Sequence, residues 1–186
     1  MHIERPIHPP FAKVITLGGG CFWCTEAVFL RVQGVLQVTS GYANGHVPEP
    51  TYAQVCEGDT GHNEVVQVVY DPQQIELRSL LEIFFAIHDP TTLNRQGNDV
   101  GMQYRSGLYY SDDADLAVAQ SVRDEVNVAL GGSVVTELLP LQCFYEAETY
   151  HQNYFAQHPN QGYCAFVVAP KVHKFVQTFA SKVRCE

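Results

Sequence analysis

The run Gly18-Gly19-Gly20-Cys21-Phe22-Trp23-Cys24 constrains this chain more than any other stretch, because it joins two incompatible local patterns. Before it, Phe11 to Leu17 is short, rich in β-branched residues and bounded by Pro10 and Gly18, as a strand is. After it, Cys24, Ala27, Val28 and Arg31 recur at spacings of three and four, as on one face of a helix. Three glycines between the two allow a sharp turn, since glycine accepts positive φ without a Cβ clash. Cys21 is therefore expected at a helix start, where unpaired N–H groups and the helix dipole favour a thiolate. A merely structural, buried cysteine needs neither the glycine run nor two large aromatics beside it.

Further strands are predicted over 34–42, 64–70, 104–110 and 134–141. Leu77, Leu80, Leu81, Phe84 and His88 mark an amphipathic helix ended by Asp89-Pro90. A second helix is capped by Ser111 or Asp112, carries the stripe Val118, Val122, Val126 and Ala129, and stops at Gly131-Gly132. A short aromatic helix is expected from Tyr150 to Gln157. Residues 43–63 and 91–103 read as long loops, which in compact domains are usually functional. From Gly162 the chain reads as mostly irregular, with a short helix near 172–180. No repeat, low-complexity tract or linker divides the 186 residues. One domain is expected, with 1–10 a loose lead-in and a mixed sheet covered by helices.

Composition narrows the function. A net charge of −9 argues against a nucleic-acid or anionic-membrane surface, and the basic cluster Lys171, Lys174, Lys182 and Arg184 reads as a solvated tail. There is no run of eighteen apolar residues, and the first ten residues lack the pattern of a targeting segment. A cytoplasmic monomer is the expectation. Six cysteines in that setting point to redox or metal chemistry. Only Cys21 and Cys24 form a CxxC pair, with no second pair to complete a zinc site, so no metal is assigned.

Taken residue by residue, the chemistry stays open. Cys21-Phe22-Trp23-Cys24 also suits a thioredoxin-like disulfide oxidoreductase, with Cys24 essential, or a non-catalytic thiol- or zinc-binding module. Glu64 on its own reads as a strand-end carboxylate facing water, and Tyr52, Tyr104, Phe22 and Trp23 as packing residues.

The motifs in order decide between these readings. Gly20-Cys21-Phe22-Trp23, Gly41-Tyr42, Pro50-Thr51-Tyr52, Gly61-His62-Asn63-Glu64, His88-Asp89-Pro90-Thr91 and Asn94-Arg95-Gln96-Gly97 are followed by Gln103-Tyr104-Arg105-Ser106, Tyr150-His151-Gln152 and Gly162-Tyr163-Cys164. Together they resemble the A-type peptide methionine sulfoxide reductases. The resemblance implies a two-layer α/β sandwich with a ferredoxin-like core and a long irregular C-terminal segment. It also implies reduction of methionine (S)-sulfoxide, free or in proteins, as repair of oxidative damage. In these roles Cys21 is the nucleophile, Glu64 the acid, and Tyr52 and Tyr104 the donors to the sulfoxide oxygen. Phe22 and Trp23 seat the methyl group, and Asp99 lies near the substrate. Cys164 is the resolving thiol that accepts the disulfide from Cys21, and thioredoxin or dithiothreitol, not a bound cofactor, is the reductant. Many relatives carry glycine where this chain has Cys24, which makes Cys24 dispensable to the first step. Cys185 reads as a frayed thiol, and Cys56 and Cys143 as structural.

Overall fold

The computed structural model describes residues 6–185. Strands β1 (Lys13–Gly19), β2 (Val35–Ala43), β3 (Asn63–Tyr70) and β6 (Ser106–Tyr110) form the centre of a six-stranded sheet. β7 (Glu137–Pro140) and β8 (Phe144–Glu146) are its edges, in the order β7-β6-β1-β3-β2-β8. β7 runs parallel to β6 and all other pairs are antiparallel, so the sheet is mixed, as expected. Helices α1 (Phe22–Phe29) and α3 (Leu77–Ile87) complete a β-α-β-β-α-β run, in which each β-α-β unit is split by an antiparallel strand.

The register explains the core. Leu17 faces Val66 and Ile15 faces Val68, so alternate residues of β1 and β3 point to one side. There they meet Phe29 of α1 and Leu80, Leu81 and Phe84 of α3, all fully buried. α4 (Asp113–Ala129) packs on α3, capped by Asp112, whose side chain accepts from the Asp115 N–H at 2.8 Å. On the opposite face of the sheet, Ala43, Val65 and Tyr109 form a smaller cluster.

Antiparallel pairing also sets where chain ends meet. The end of β1 lies beside the start of β3 and the start of β6, with Leu17 opposite Val66 and Gly19 opposite Ser106. The end of β2 lies beside Glu64 and beside β8, through Tyr42. One end of the sheet therefore gathers the segments that carry Cys21, Glu64, Tyr104 and the loop after β2.

Several expectations need correction. Only Gly20 of the three glycines turns with positive φ (89°). Gly18 and Gly19 belong to β1 and are required by packing instead. A Cβ on Gly18 would lie 2.3 Å from the Asn63 Nδ2, and one on Gly19 would lie 3.1 Å from the Phe84 ring. The loop after β2 contains a helix, α2 (Tyr52–Glu57), closed by a capping box between Thr51 and Gln54. The loop after α3 folds back as a hairpin of β4 (Arg95–Gln96) and β5 (Asp99–Val100). Tyr104 ends a single 3-10 turn before β6 rather than starting the strand. The edge strand β8, around Tyr145, has no counterpart among the predicted strands. The 150–157 helix is broken: a 3-10 turn over Thr149–His151 is separated from α5 (Tyr154–Gln157) by Asn153 at φ 53°.

The C-terminal segment is helical, not irregular. A π-type turn over Cys164–Val168 runs into α6 (Ala169–Thr178). The wider turn accommodates Pro170, which lacks an N–H and crowds the carbonyl four residues back. The end of the chain is tied down, as the Arg184 N–H donates to the Arg31 carbonyl at 2.8 Å. No helix among the described residues is long and apolar enough to cross a membrane.

Asn63 makes a sharp test of this packing. Its Nδ2 donates to the Arg105 carbonyl (3.0 Å) and the Tyr109 hydroxyl (2.9 Å), so it has no free direction in which to retreat from a methyl at Gly18. Gly18→Ala is expected to destabilise the fold by about 1–3 kcal/mol, the usual cost of overpacking. Urea unfolding followed by circular dichroism measures it, and an unchanged midpoint contradicts the packing role.

Candidate active site

Cys21 occupies the N-cap position of α1, as its sequence context predicts, with φ −53° and ψ 125°. It is half-buried against the core. Its proton affinity differs from the expectation. Burial pushes the thiol well above its ordinary range, and the neighbouring charges of Glu64 and Cys24 push the same way. The Trp23 N–H and the Tyr163 hydroxyl oppose this without overcoming it. Desolvation outweighs the helix end, because α1 is only eight residues long and its start is packed against protein, not water.

Glu64, one strand over, is 1 % exposed. Its Oε2 accepts the Phe22 N–H at 3.2 Å, joining β3 to the first turn of α1. Burial raises its pKa to about 8, with the charge of Asp99 adding and the Phe22 hydrogen bond subtracting. At neutral pH the carboxyl therefore holds a proton. The water-facing alternative does not apply, because β2 and the start of α1 cover this end of β3.

The charge of Glu64 also acts on Tyr52 and Tyr104, which locates both phenols around the same carboxyl. Burial is the largest cause in each case and holds both hydroxyls protonated far above neutral pH. Tyr52 is the first residue of α2, and its N–H donates to Glu148 Oε2 at 3.1 Å. The other oxygen of Glu148 accepts the Tyr42 hydroxyl at 2.9 Å, so this carboxylate ties α2 to β2. Cys56, one helical turn on from Tyr52, lies near enough to raise its hydroxyl further, an influence the structural reading of that cysteine does not include.

Phe22 and Trp23 differ in their surroundings. Phe22 is fully buried, 5.8 Å from the Tyr42 ring and 5.1 Å from His151. Trp23 is half-buried and stacks flat on Tyr154, with centroids 3.8 Å apart at 4°. Its indole N–H donates to His151 Nδ1 at 3.1 Å. Because that N–H only donates, Nδ1 must accept, and the imidazole proton belongs on Nε2. Burial lowers the His151 pKa, which keeps the ring neutral, and the buried Nε2 has no protein partner. The sequence reading gives no site role to His151, Tyr154, Glu148 or Glu26, although Tyr150-His151-Gln152 is one of the motifs that carry the resemblance. The aromatic density of 150–155 is the signal for His151 and Tyr154, and no local signal marks Glu26 or Glu148. Glu26 accepts the Asn153 N–H at 2.7 Å and so holds that segment on α1.

Asp99, in β5, accepts the Tyr163 hydroxyl at 2.6 Å. The same hydroxyl lies 3.9 Å from the Cys24 sulfur. Cys164 is fully buried in the π-type turn and shares a cluster with Cys24, Ala27 and Val168, whereas Cys21 packs with the main core. Burial raises the Cys164 thiol. Cys143 is half-buried with its sulfur 3.7 Å from the Gly45 carbonyl, and Cys185 is exposed.

The proton on Glu64 has a measurable consequence for stability. Its ordinary pKa is 4.5 and its folded value about 8, so the folded chain binds the proton more tightly than the unfolded one. Stability is then full below about pH 4.5, falls as pH rises, and levels off above about pH 8. Glu26, raised by burial to about 7, adds a second component of the same sign. Glu64→Gln should therefore lose less thermal stability between pH 5 and pH 8 than the native chain. Equal losses by differential scanning calorimetry would refute a buried, protonated Glu64.

Comparison with known proteins agrees with this geometry. The family model for peptide methionine sulfoxide reductase matches residues 13–183. The chain is 55% identical over 172 residues to a peptide methionine sulfoxide reductase MsrA of Saccharolobus solfataricus, covering 92% of this chain and 97% of that protein. The structure of Mxr1 from Saccharomyces cerevisiae in reduced form superposes with a TM-score of 0.80 at 41% identity, covering 87% of this chain and 94% of that one. The same yeast protein in complex with Trx2 superposes with a TM-score of 0.57 at 32% identity, covering 82% and 91%. The chain belongs to the peptide methionine sulfoxide reductase family.

Proposed function

We propose that this chain reduces methionine (S)-sulfoxide, free or within oxidised proteins, through thiol chemistry at Cys21. The observation that carries the reading is a buried, protonated Glu64 hydrogen-bonded to the first turn of the helix that Cys21 caps. A sulfoxide sulfur is a poor electrophile until its oxygen is protonated or strongly hydrogen-bonded. Glu64 supplies the proton, and the Tyr52 and Tyr104 hydroxyls donate to the same oxygen. The Cys21 sulfur then takes the oxygen. The S–O bond of the substrate breaks, Cys21 becomes a sulfenic acid, and methionine leaves.

Phe22 and Trp23 form the seat for the methyl group, with Asp99 at its edge. A fixed methyl and a fixed oxygen leave only one configuration with its sulfur toward Cys21, hence the choice of the S epimer. Cys164 is the resolving thiol, and the disulfide it ends in is reduced from outside by thioredoxin or dithiothreitol. The complex of the yeast relative with Trx2 supports thioredoxin as that partner. No bound cofactor enters the reaction. The active unit in this reading is a monomer. Its place is the cytoplasm, where thiols are kept reduced.

The reading is tested by offering both epimers separately with thioredoxin, thioredoxin reductase and NADPH. The S epimer alone should be consumed, and Cys21→Ser should form no methionine. Equal consumption of the two epimers would overturn the seat. Glu64→Gln should lower kcat/KM by on the order of 100-fold, since the amide donates a hydrogen bond but transfers no proton. Tyr52→Phe combined with Tyr104→Phe should cost roughly 100- to 1,000-fold, as loss of oxyanion-type donors does. Rates within a factor of two of the native chain in either variant would remove those groups from the mechanism.

A further inference from the structure

Tyr104 stands on a single 3-10 turn, Met102–Tyr104, an element with little rigidity of its own. The chain enters that turn through Gly101 at φ 148°, a backbone conformation that favours glycine. Glu64 is held differently, because β3 is paired on both sides, with Tyr42 opposite Glu64 and Leu17 opposite Val66. The residue after Tyr104 supplies what the turn lacks. Arg105 is buried, and its guanidinium reaches three separate segments. Nη1 donates to the Met102 carbonyl at 2.8 Å, Nη2 to the Gly61 carbonyl at 3.2 Å, and Nε to Glu137 Oε2 at 3.1 Å. The first contact grips the turn itself. The second reaches the chain just before β3, and the third reaches the edge strand β7.

These contacts close into a ring. Glu137 Oε2 also accepts the Tyr109 hydroxyl at 2.9 Å, and that hydroxyl accepts from the Asn63 Nδ2 at 2.9 Å. The same amide donates to the Arg105 carbonyl at 3.0 Å, which returns the ring to its start. We propose that Arg105 is a positioning residue for the reduction, holding the Tyr104 hydroxyl at the sulfoxide oxygen by anchoring its turn to β3 and β7. The proposal rests on the reductase reading above and deepens it. Arg105 acts through Tyr104 and touches no reacting atom.

The chemistry of the guanidinium suits this task. Its planar fork meets three acceptors in fixed directions, whereas a lysine ammonium is a point charge on a flexible stem. Removed from water, each charge-assisted hydrogen bond is short and strong. Arg78 makes the contrast. It pairs with Glu125 at 2.9 Å on exposed faces of α3 and α4, two helices that already pack on each other. Loss of that pair leaves both helices in place, but loss of Arg105 frees a turn that carries a donor. A donor displaced by about 1 Å from its reacting partner can slow a reaction by roughly 100-fold.

Single-turnover formation of methionine from the S sulfoxide, without reductant and over a range of sulfoxide concentrations, tests this. Arg105→Lys is expected to lower the limiting rate about 10-fold. The half-saturating concentration should stay within about twofold of the native value, because the methyl seat is untouched. In Tyr104→Phe the same substitution should cost less than about twofold, since the hydroxyl it positions is already gone. An equal loss in both backgrounds would overturn the proposal. So would a raised half-saturating concentration at an unchanged limiting rate, or a native rate in Arg105→Lys. Arg78→Lys is the control and should match the native chain. Should circular dichroism show Arg105→Lys unfolded, Glu137→Gln takes its place, keeping an acceptor for Nε without the charge. Its expected loss is about threefold, absent in Tyr104→Phe, and a loss that persists there would overturn the proposal. A native chain that forms no methionine, or a Tyr104→Phe chain as fast as the native one, would strike at the reductase reading itself, and the role of Arg105 falls with it.

Discussion

The pairing of β1 with β3 is the constraint on which the rest depends. It brings the end of one strand, where α1 begins, beside the first residues of the next, where Glu64 stands. The hydrogen bond from the Phe22 N–H to Glu64 then joins a helix start to a buried carboxyl. A shift of one residue in that register would move Glu64, Val66 and Val68 to the other face of the sheet. Core and acid are specified by the same pairing, so neither can be changed without the other.

Desolvation is the common cause of the electrostatics. It raises the Cys21 thiol, the Glu64 carboxyl and the phenols of Tyr52 and Tyr104 together. These four groups are therefore uncharged at rest and rich in donors, well matched to a neutral substrate whose reaction develops charge on oxygen. Each group resists ionising partly because its neighbours do. A charge on Glu64 would raise Cys21, and a thiolate at Cys21 would raise Tyr104. This coupling makes the order in which protons move a property of the cluster, not of one residue.

Around that centre the supporting groups are carboxylates, histidine and aromatics from distant parts of the chain. Glu148 holds the start of α2 and with it Tyr52. Glu26 holds the segment that supplies Tyr154 and His151 to Trp23. Each uses a single acceptor to fix an element with little sheet or helix structure of its own, which is economical in short segments such as α5.

Much of this was legible in the chain. Period-2 and period-3.6 patterns located β1, β2, β3, α1, α3 and α4, and the Gly-Cys-Phe-Trp run located the start of α1 at Cys21. Thr51 and Gln54 carried a readable capping signal for α2 that the surrounding loop residues obscured. Nothing local distinguishes β8, a three-residue edge strand defined by its partner β2, or the helical turn ahead of Pro170. By itself the sequence determined the sheet-and-helix plan, the family and the place of Cys21 at the start of α1. Tertiary structure alone decided that Cys21 is held as a thiol, that Glu64 is buried with a raised pKa, and that Cys24 shares a buried cluster with Cys164. Those properties depend on burial and on neighbours far away in the chain, and no local pattern encodes either.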